Sequence, residues 1–115
     1  MKYNEIILKV KAMYPNEYSD VEMLCWIGEV NADVKRNIEK NPAPLRGLTG
    51  EETAIIPAPY EDMYIYYILS KIAYYQRDYE AYSIHTENYN KNRSGYQAYY
   101  IRTNGSDTQS FKNWI

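Results

Sequence analysis

The sequence has 115 residues, of which 45% are hydrophobic and 24% charged, and its formal net charge is -2. This length allows one globular domain with its own core, and the slightly acidic balance argues against the basic surface of nucleic-acid-binding and membrane-surface proteins. The single cysteine, Cys25, excludes an internal disulfide framework and is typical of a protein of the reducing cytoplasm.

No targeting or membrane segment is expected. Residues 1–6 are partly charged and lack the apolar run of a signal peptide. No stretch approaches the roughly 20 apolar residues of a membrane span. We therefore expect a soluble protein made in the cytosol, with no membrane partner.

The first predicted helix covers residues 3–14. Tyr3, Ile7, Val10 and Tyr14 follow helical spacing and form one apolar stripe. Pro15 ends the helix, because the residue before a proline is displaced from the α region.

The second predicted helix begins at a capping box, Ser19-Asp20-Val21-Glu22, in which the serine accepts a backbone N–H and the glutamate reaches back. Its predicted apolar face consists of Val21, Leu24, Ile27, Val30, Val34 and Ile38. Prolines from Pro42 onward stop it. Residues 41–58 are then an irregular linker with three prolines and two glycines, in which 53–56 could lie extended as a short strand or as an arm along a neighbour.

The third predicted helix is long and rich in tyrosine. It opens at Pro59, which is favoured in a first turn, and its spacing runs to Arg102. One side carries an a/d seam made of Ile65, Ile68, Ile72, Tyr75, Tyr79, Tyr82, Thr86, Tyr89, Arg93, Tyr96 and Tyr100. A second apolar face is formed by Tyr60, Met63, Tyr64, Tyr67 and Tyr74. The stretch 88–95, with three asparagines and a glycine, is the natural place for a kink, but the seam continues in register across it, so an unbroken helix stays open.

This helix carries more aromatic surface than one small chain readily buries. Twelve of the 15 tyrosines lie between Tyr60 and Tyr100, and an unbroken helix over 59–102 would be about 66 Å long. A compact domain of this size has a radius of gyration of about 13 Å. The prediction is an all-α helical bundle, a single domain over 1–102, that uses its tyrosines in oligomerisation.

The C-terminal residues 103–115 have the composition of a flexible tail, and this tail ends in large aromatic side chains. It is either a frayed end or a docking peptide for a partner. The candidate interface residues are therefore Tyr75, Tyr79, Tyr82, Tyr89, Tyr96, Tyr100, Phe111 and Trp114.

No catalytic or metal-binding constellation is predicted. His85 is the only histidine and is interpreted as a solvated helix residue, and Cys25 as a packing residue without a neighbouring base. No phosphate-binding glycine motif occurs. We expect a protein that is not an enzyme and needs no cofactor.

Four sequence elements carry a resemblance to a known family. The run from Pro59 to Ile68 resembles a Pro-Tyr-Asp-x-x-Tyr-x-x-Tyr-Leu pattern, and Tyr89-Asn90 is similar to a later Phe-Asn; Tyr82-Ser83-Ile84 matches a Tyr-Asn-Asn element by its tyrosine alone. The segment 24–30 is similar to a Trp-Ile-x-Glu element of a second helix. The family comprises small phage and prophage head–tail connector, or head-completion, proteins of Gram-positive bacteria.

The resemblance implies a structural subunit of a connector ring of about a dozen copies beneath the portal. Its partners would be neighbouring copies, the portal, and tail or stopper proteins, while DNA passes through without specific binding. It would reside in the host cytoplasm during assembly and then at the head–tail interface of the virion. Two alternatives stay open: a generic all-α protein-interaction adaptor, and a single-stranded nucleic-acid-binding protein that stacks bases on the tyrosines.

Overall fold

The computed structural model describes residues 1–40 and 47–104, and this part of the chain is an all-α bundle, as predicted. The helices are α1 (Tyr3–Met13), α2 (Asp20–Asp33), α3 (Asp62–Tyr75) and α4 (Tyr79–Thr103), with a π-helical turn (Val34–Ile38) continuing α2. Helices α1, α2 and α3 pack against one another, and α4 packs along α3.

A polar network lies inside the three-helix core. Tyr3 of α1 and Tyr64 of α3 meet edge to face, with ring centroids 5.6 Å apart. Between their hydroxyls lies the buried side chain of Asn31, whose amide donates to Tyr3 Oη at 2.9 Å and whose carbonyl accepts from Tyr64 Oη at 2.6 Å. Because every polar atom of this Asn–Tyr set has a partner, the network fixes how α1, α2 and α3 meet.

The second helix begins where predicted and buries most of its predicted face, namely Ile27, Val30, Val34 and Ile38, but not the first residue of that face. Ser19 Oγ accepts from the backbone N–H of Glu22 at 3.1 Å, which confirms the serine cap. Val21, predicted to be in the core, is 70% exposed, whereas Met23 and Trp26 are buried. The apolar side chains of α2 occupy more than one face, so packing against α3 selects which face is buried.

The described part of the linker folds back on the N-terminus. Backbone N–H groups of Asn4 and Ala54 donate to the carbonyls of Gly50 and Met1 at 3.0 and 2.8 Å, and the extended stretch contributes a single bridge between Lys2 and Thr53. Gly50 has φ +99, and a Cβ there would lie 2.0 Å from the Asn4 side chain. The predicted extended arm therefore lies along its own chain.

The prediction of one long third helix is wrong. Helix α3 stops at Tyr75, where Arg77 adopts φ +60 and the N–H groups of Arg77 and Asp78 donate to the carbonyls of Tyr74 and Ala73 at 3.1 and 2.9 Å. This double bond pattern is a Schellman helix end, with arginine in the left-handed position that glycine normally takes. The Asp78 side chain then caps α4.

The helix does not break over 88–95, the stretch singled out for a kink, because α4 is helical throughout it. The break at 76–78 turns the chain back on itself, so α3 and α4 form an antiparallel hairpin. The two tyrosine-bearing stretches therefore face each other.

Candidate functional site

Three pairs of facing tyrosines join α3 to α4, and we call them the tyrosine ladder. On each helix its members are a heptad apart, and each pair is symmetric about position 78. The ring centroids lie 5.7 Å apart in Tyr60–Tyr96, 5.3 Å in Tyr67–Tyr89 and 5.5 Å in Tyr74–Tyr82. Aromatic pairs at these separations contribute stabilisation beyond their burial, so the ladder holds the hairpin closed.

Two of the three pairs are anchored to carboxylates of α2 and the residues that follow it. The Tyr67 hydroxyl donates to Glu29, and the Tyr96 hydroxyl donates to Glu39 at 3.2 Å. Burial is the main cause that raises the pKa of both tyrosines, and the neighbouring carboxylates raise it further. These tyrosines are thus held neutral and structural.

Asp33 ties α2 to α4. Arg93 donates to it through Nε at 2.7 Å and through Nη2 at 3.1 Å, and the Tyr89 hydroxyl donates to the same carboxylate at 3.2 Å. The hydrogen bond from Arg93 is the main cause that lowers the pKa of the Asp33 carboxyl below its usual value. The bidentate geometry is that of a packing contact between helices.

The third pair, Tyr74–Tyr82, lies at the turn end of the hairpin and begins a continuous cluster of aromatic rings. We call this cluster the aromatic band; its members are exposed Tyr74, Tyr75 and Tyr79, half-buried Tyr18 and Tyr82, and buried Trp26. Tyr75 stacks on Trp26 with centroids 6.1 Å apart and contacts the ring of Tyr74 at 5.6 Å. Tyr75 and Tyr79 remain 55% and 60% exposed.

Other apolar side chains gather at the same end of the bundle, where α1 and α3 finish and α2 and α4 begin. Among the described residues nine large hydrophobic side chains are exposed, and six lie here: Met13, Tyr14, Val21, Tyr74, Tyr75 and Tyr79. The Tyr14 hydroxyl donates to Gln76 at 2.5 Å and so joins the ends of α1 and α3. Exposed apolar side chains concentrated in this way are typical of interaction surfaces in proteins.

Acidic groups border the aromatic band. A groove of about 540 Å³ between the α1–α2 connection, the start of α2 and the hairpin turn is lined by Glu17 and Glu22 together with Tyr18 and Gln76. Asp78 and Glu80 are exposed at the start of α4. The band is therefore aromatic at its centre and acidic at its edge.

The structure divides the predicted interface residues into three groups. Tyr75 and Tyr79 are exposed as expected, whereas Tyr89 and Tyr96 are buried against α3 and the end of α2. Tyr82 and Tyr100 are half-buried within the chain. The structure uses these last four as intramolecular contacts. The remaining two, Phe111 and Trp114, lie outside the described residues.

The prediction missed Tyr18, Trp26 and Tyr74 as members of the band. Tyr74 carried a detectable signal, since its heptad spacing from Tyr67 mirrors that of Tyr82 from Tyr89 about the hairpin turn. Tyr18 lies in the connection between α1 and α2, where periodicity gives no information.

Two single residues differ from expectation. Cys25 is exposed rather than packed. His85 is half-buried rather than solvated, burial lowers its pKa, and its Nδ1 has no hydrogen-bond partner among the described residues.

Across residues 1–40 and 47–104 there is no cluster of three or more histidine, cysteine or carboxylate side chains that could hold a metal ion. None of the described helices is long and apolar enough to cross a membrane.

Comparison with protein-family models, with curated proteins and with solved structures finds no match for this chain.

Proposed function

We propose that this chain is a structural, non-catalytic subunit of a phage or prophage head–tail connector ring. In this proposal the aromatic band contacts other proteins of the assembly. The observation that carries it is the concentration of exposed aromatic and aliphatic side chains at one end of the bundle, with Tyr75 and Tyr79 more than half exposed. Protein interfaces are enriched in tyrosine, tryptophan and methionine.

The covered part of the tyrosine ladder suits this role because it stiffens the hairpin that presents the band. Ion pairs and tyrosine–carboxylate bonds from Glu29, Asp33 and Glu39 tie the hairpin to α2. A preorganised surface loses less conformational entropy when it binds. The strongest pKa shifts are thereby accounted for by packing, so no catalytic role is proposed for these groups.

The sequence motif at the start of the hairpin supports the hypothesis of a head–tail connector subunit. Within the run that resembles the connector family, Tyr60 and Tyr67 form ladder pairs and Tyr64 holds the core network. Each of these tyrosines thus has a structural use. The ring, the portal and the tail or stopper proteins as partners, and the location at the head–tail interface are proposed on the same resemblance.

The acidic edge of the band fits a protein that lets DNA pass without gripping it. Cationic contacts to phosphates supply most non-specific affinity for DNA, and carboxylates oppose it. A single-stranded nucleic-acid binder would pair its aromatic side chains with a basic groove instead. An adaptor of another assembly would use the same band, and gene neighbourhood separates that alternative.

The test is co-expression with the products of adjacent genes, followed by size-exclusion chromatography and electron microscopy. We expect capsid, portal and tail genes as neighbours, and a complex of this chain with the portal or a tail protein. Tyr75→Ser with Tyr79→Ser should abolish the complex and preserve the helical circular-dichroism signal. The matched control, Leu8→Ser with Ile84→Ser, removes two exposed apolar side chains that lie outside the band. The proposal is wrong if the neighbouring genes do not encode capsid, portal and tail proteins, or if the complex still forms when Tyr75 and Tyr79 are substituted.

A further inference from the structure

We propose that the aromatic band binds a segment of a partner protein that carries lysine or arginine side chains between apolar ones. This inference rests on the proposed function, since it names the chemistry of the partner at that same surface. Two independent features support it: the negative charge around the band, and the contact of Lys71 with the ring of Tyr67 in the middle pair of the ladder.

The charge at this end of the bundle is negative. Glu17, Glu22, Asp78 and Glu80 are exposed there, while Arg77 is the one exposed cation of the hairpin turn. None of these five side chains forms an ion pair with another described residue, in contrast to the neighbouring Lys11 and Asp20, which pair with each other. Four carboxylates against one guanidinium leave an excess that a cationic partner would neutralise.

At the middle pair of the ladder, Tyr67–Tyr89, the chain covers the face of a tyrosine ring with a lysine side chain. The ammonium group of Lys71 lies 5.3 Å from the ring centroid of Tyr67, and it is 3.5 Å from the Glu29 carboxylate that accepts the Tyr67 hydroxyl. A cation is thus held between an aromatic face and a carboxylate.

The aromatic band repeats two of these three components. In the acidic groove, the ring of Tyr18 lies beside the carboxylates of Glu17 and Glu22. No basic residue lines that groove. A partner's lysine or arginine supplies the missing component, and the exposed rings of Tyr75 and Tyr79 accept its apolar side chains.

Other occupants fit less well. Two copies meeting band to band would place their acidic edges together, and like charges at an interface oppose binding. Nucleic acid would meet the same carboxylates with its phosphates. The observations therefore favour a cationic protein segment over a second copy or a nucleic acid.

The test uses Trp26 as a built-in reporter, because its ring stacks on Tyr75. In the full chain carrying Trp114→Phe, Trp26 is the remaining tryptophan. Its fluorescence is titrated with an acetylated peptide of alternating arginine and leucine separated by serine. Matched probes carry glutamate for arginine or serine for leucine, and an oligothymidine is titrated in parallel. We expect saturable quenching by the arginine–leucine peptide alone.

Carboxylate substitutions then test the charge. Glu17→Gln with Glu22→Gln should weaken peptide binding about threefold to tenfold, as expected for two exposed ion pairs, and raising the ionic strength should weaken it further. The control, Glu51→Gln with Asp62→Asn, changes the net charge equally but alters exposed carboxylates at the opposite end of the bundle. It should leave the affinity unchanged.

Several results would overturn the inference. These are equal binding of the arginine and glutamate peptides, equal loss in the control variant, quenching by oligothymidine, and quenching caused only by self-association at higher protein concentration. If one of these results is obtained but assembly still requires Tyr75 and Tyr79, the cationic chemistry of the partner is rejected and the proposed function is retained. An assembly indifferent to Tyr75 and Tyr79 rejects the proposed function itself.

Discussion

The two ends of the hairpin use the same residue type in opposite ways. Away from the turn, Tyr89 and Tyr96 are buried, and their hydroxyls donate to carboxylates of α2 and the residues that follow it. At the turn, Tyr75 and Tyr79 stack on other aromatic rings but stay more than half exposed. The difference lies in what α2 and its π-helical turn offer: they run along the first region and supply acceptors there. A tyrosine-rich helix is therefore structural where a neighbour covers it and available for binding where none does.

The largest expected effect distinguishes these two regions by stability. Tyr89→Ala removes a ring that is 9% exposed and should lower the free energy of unfolding by about 3 kcal/mol, as for other large aromatic core truncations. Tyr79→Ala should change it by less than about 0.5 kcal/mol. Urea unfolding followed by circular dichroism measures both. Equal losses of unfolding free energy in the two variants would contradict the division into a structural region and an exposed region.

The Asp33 clamp gives the next effect. Asp33→Ala leaves Arg93 and the Tyr89 hydroxyl without their acceptor and should cost about 1–2 kcal/mol, less than a fully buried pair because the site is partly solvated. The control Lys91→Ala removes only an exposed ion pair with Glu87 and should be nearly neutral.

The same clamp predicts a pH dependence. Since the folded-state pKa of Asp33 is lowered, its contribution is present above the unfolded pKa of about 4 and is lost as the pH falls through the folded value. Stability measured below pH 4 should fall less in Asp33→Ala than in the parent. An identical acid response in both proteins would contradict this.

Alkaline titration compares the two regions through their hydroxyls. Tyr64, Tyr67, Tyr89 and Tyr96 have raised pKa values, mainly through burial. The stability they contribute is complete below the unfolded pKa of about 10 and is lost as the pH rises above it. Part of the tyrosinate absorbance should therefore appear only together with loss of the helical circular-dichroism signal. Complete ionisation in a folded protein would refute the assignment.

The smallest effect concerns the turn. Arg77 has φ +60, a conformation that glycine adopts without steric cost, so Arg77→Gly should stabilise the protein by about 0.5–1 kcal/mol. Gln76→Gly, at φ -85, should instead destabilise it by up to about 1 kcal/mol. Thermal unfolding of the pair checks the opposite signs. A stabilised Arg77→Gly protein should retain the band and its binding.

The sequence predicted the helices well where local signals existed. Pro15 and the Ser19 cap correctly predicted the end of α1 and the start of α2. Burial was less predictable, as Val21 shows, because the choice of the buried face in α2 depends on α3.

The hairpin was missed for a specific physical reason. A turn at 76–78 that keeps the heptad positions in register on both sides leaves the three–four spacing uninterrupted. Periodicity reports which face a residue occupies and not whether the helix continues. The turn also lacks the usual glycine, since Arg77 takes the left-handed position. The mirror symmetry of the tyrosines about position 78 was the available signal.

The missed turn also explains why some candidate interface residues lie inside the chain. Exposed Tyr75 and Tyr79 were included, but Tyr89 and Tyr96 were assigned to partners because their facing tyrosines were placed on another side of one helix. Tertiary pairing, which a single sequence does not specify, decides between the two uses.

The central claim is that the turn end of the hairpin binds a partner while the rest of the tyrosine ladder stays internal. Hydroxyl-radical footprinting of the free protein and of its complex with the portal or a tail protein tests this most directly. The account predicts strong protection of Tyr75 and Tyr79 on assembly and unchanged low reactivity of Tyr67 and Tyr89. Protection elsewhere on the surface, with Tyr75 and Tyr79 as reactive as in the free protein, would contradict it.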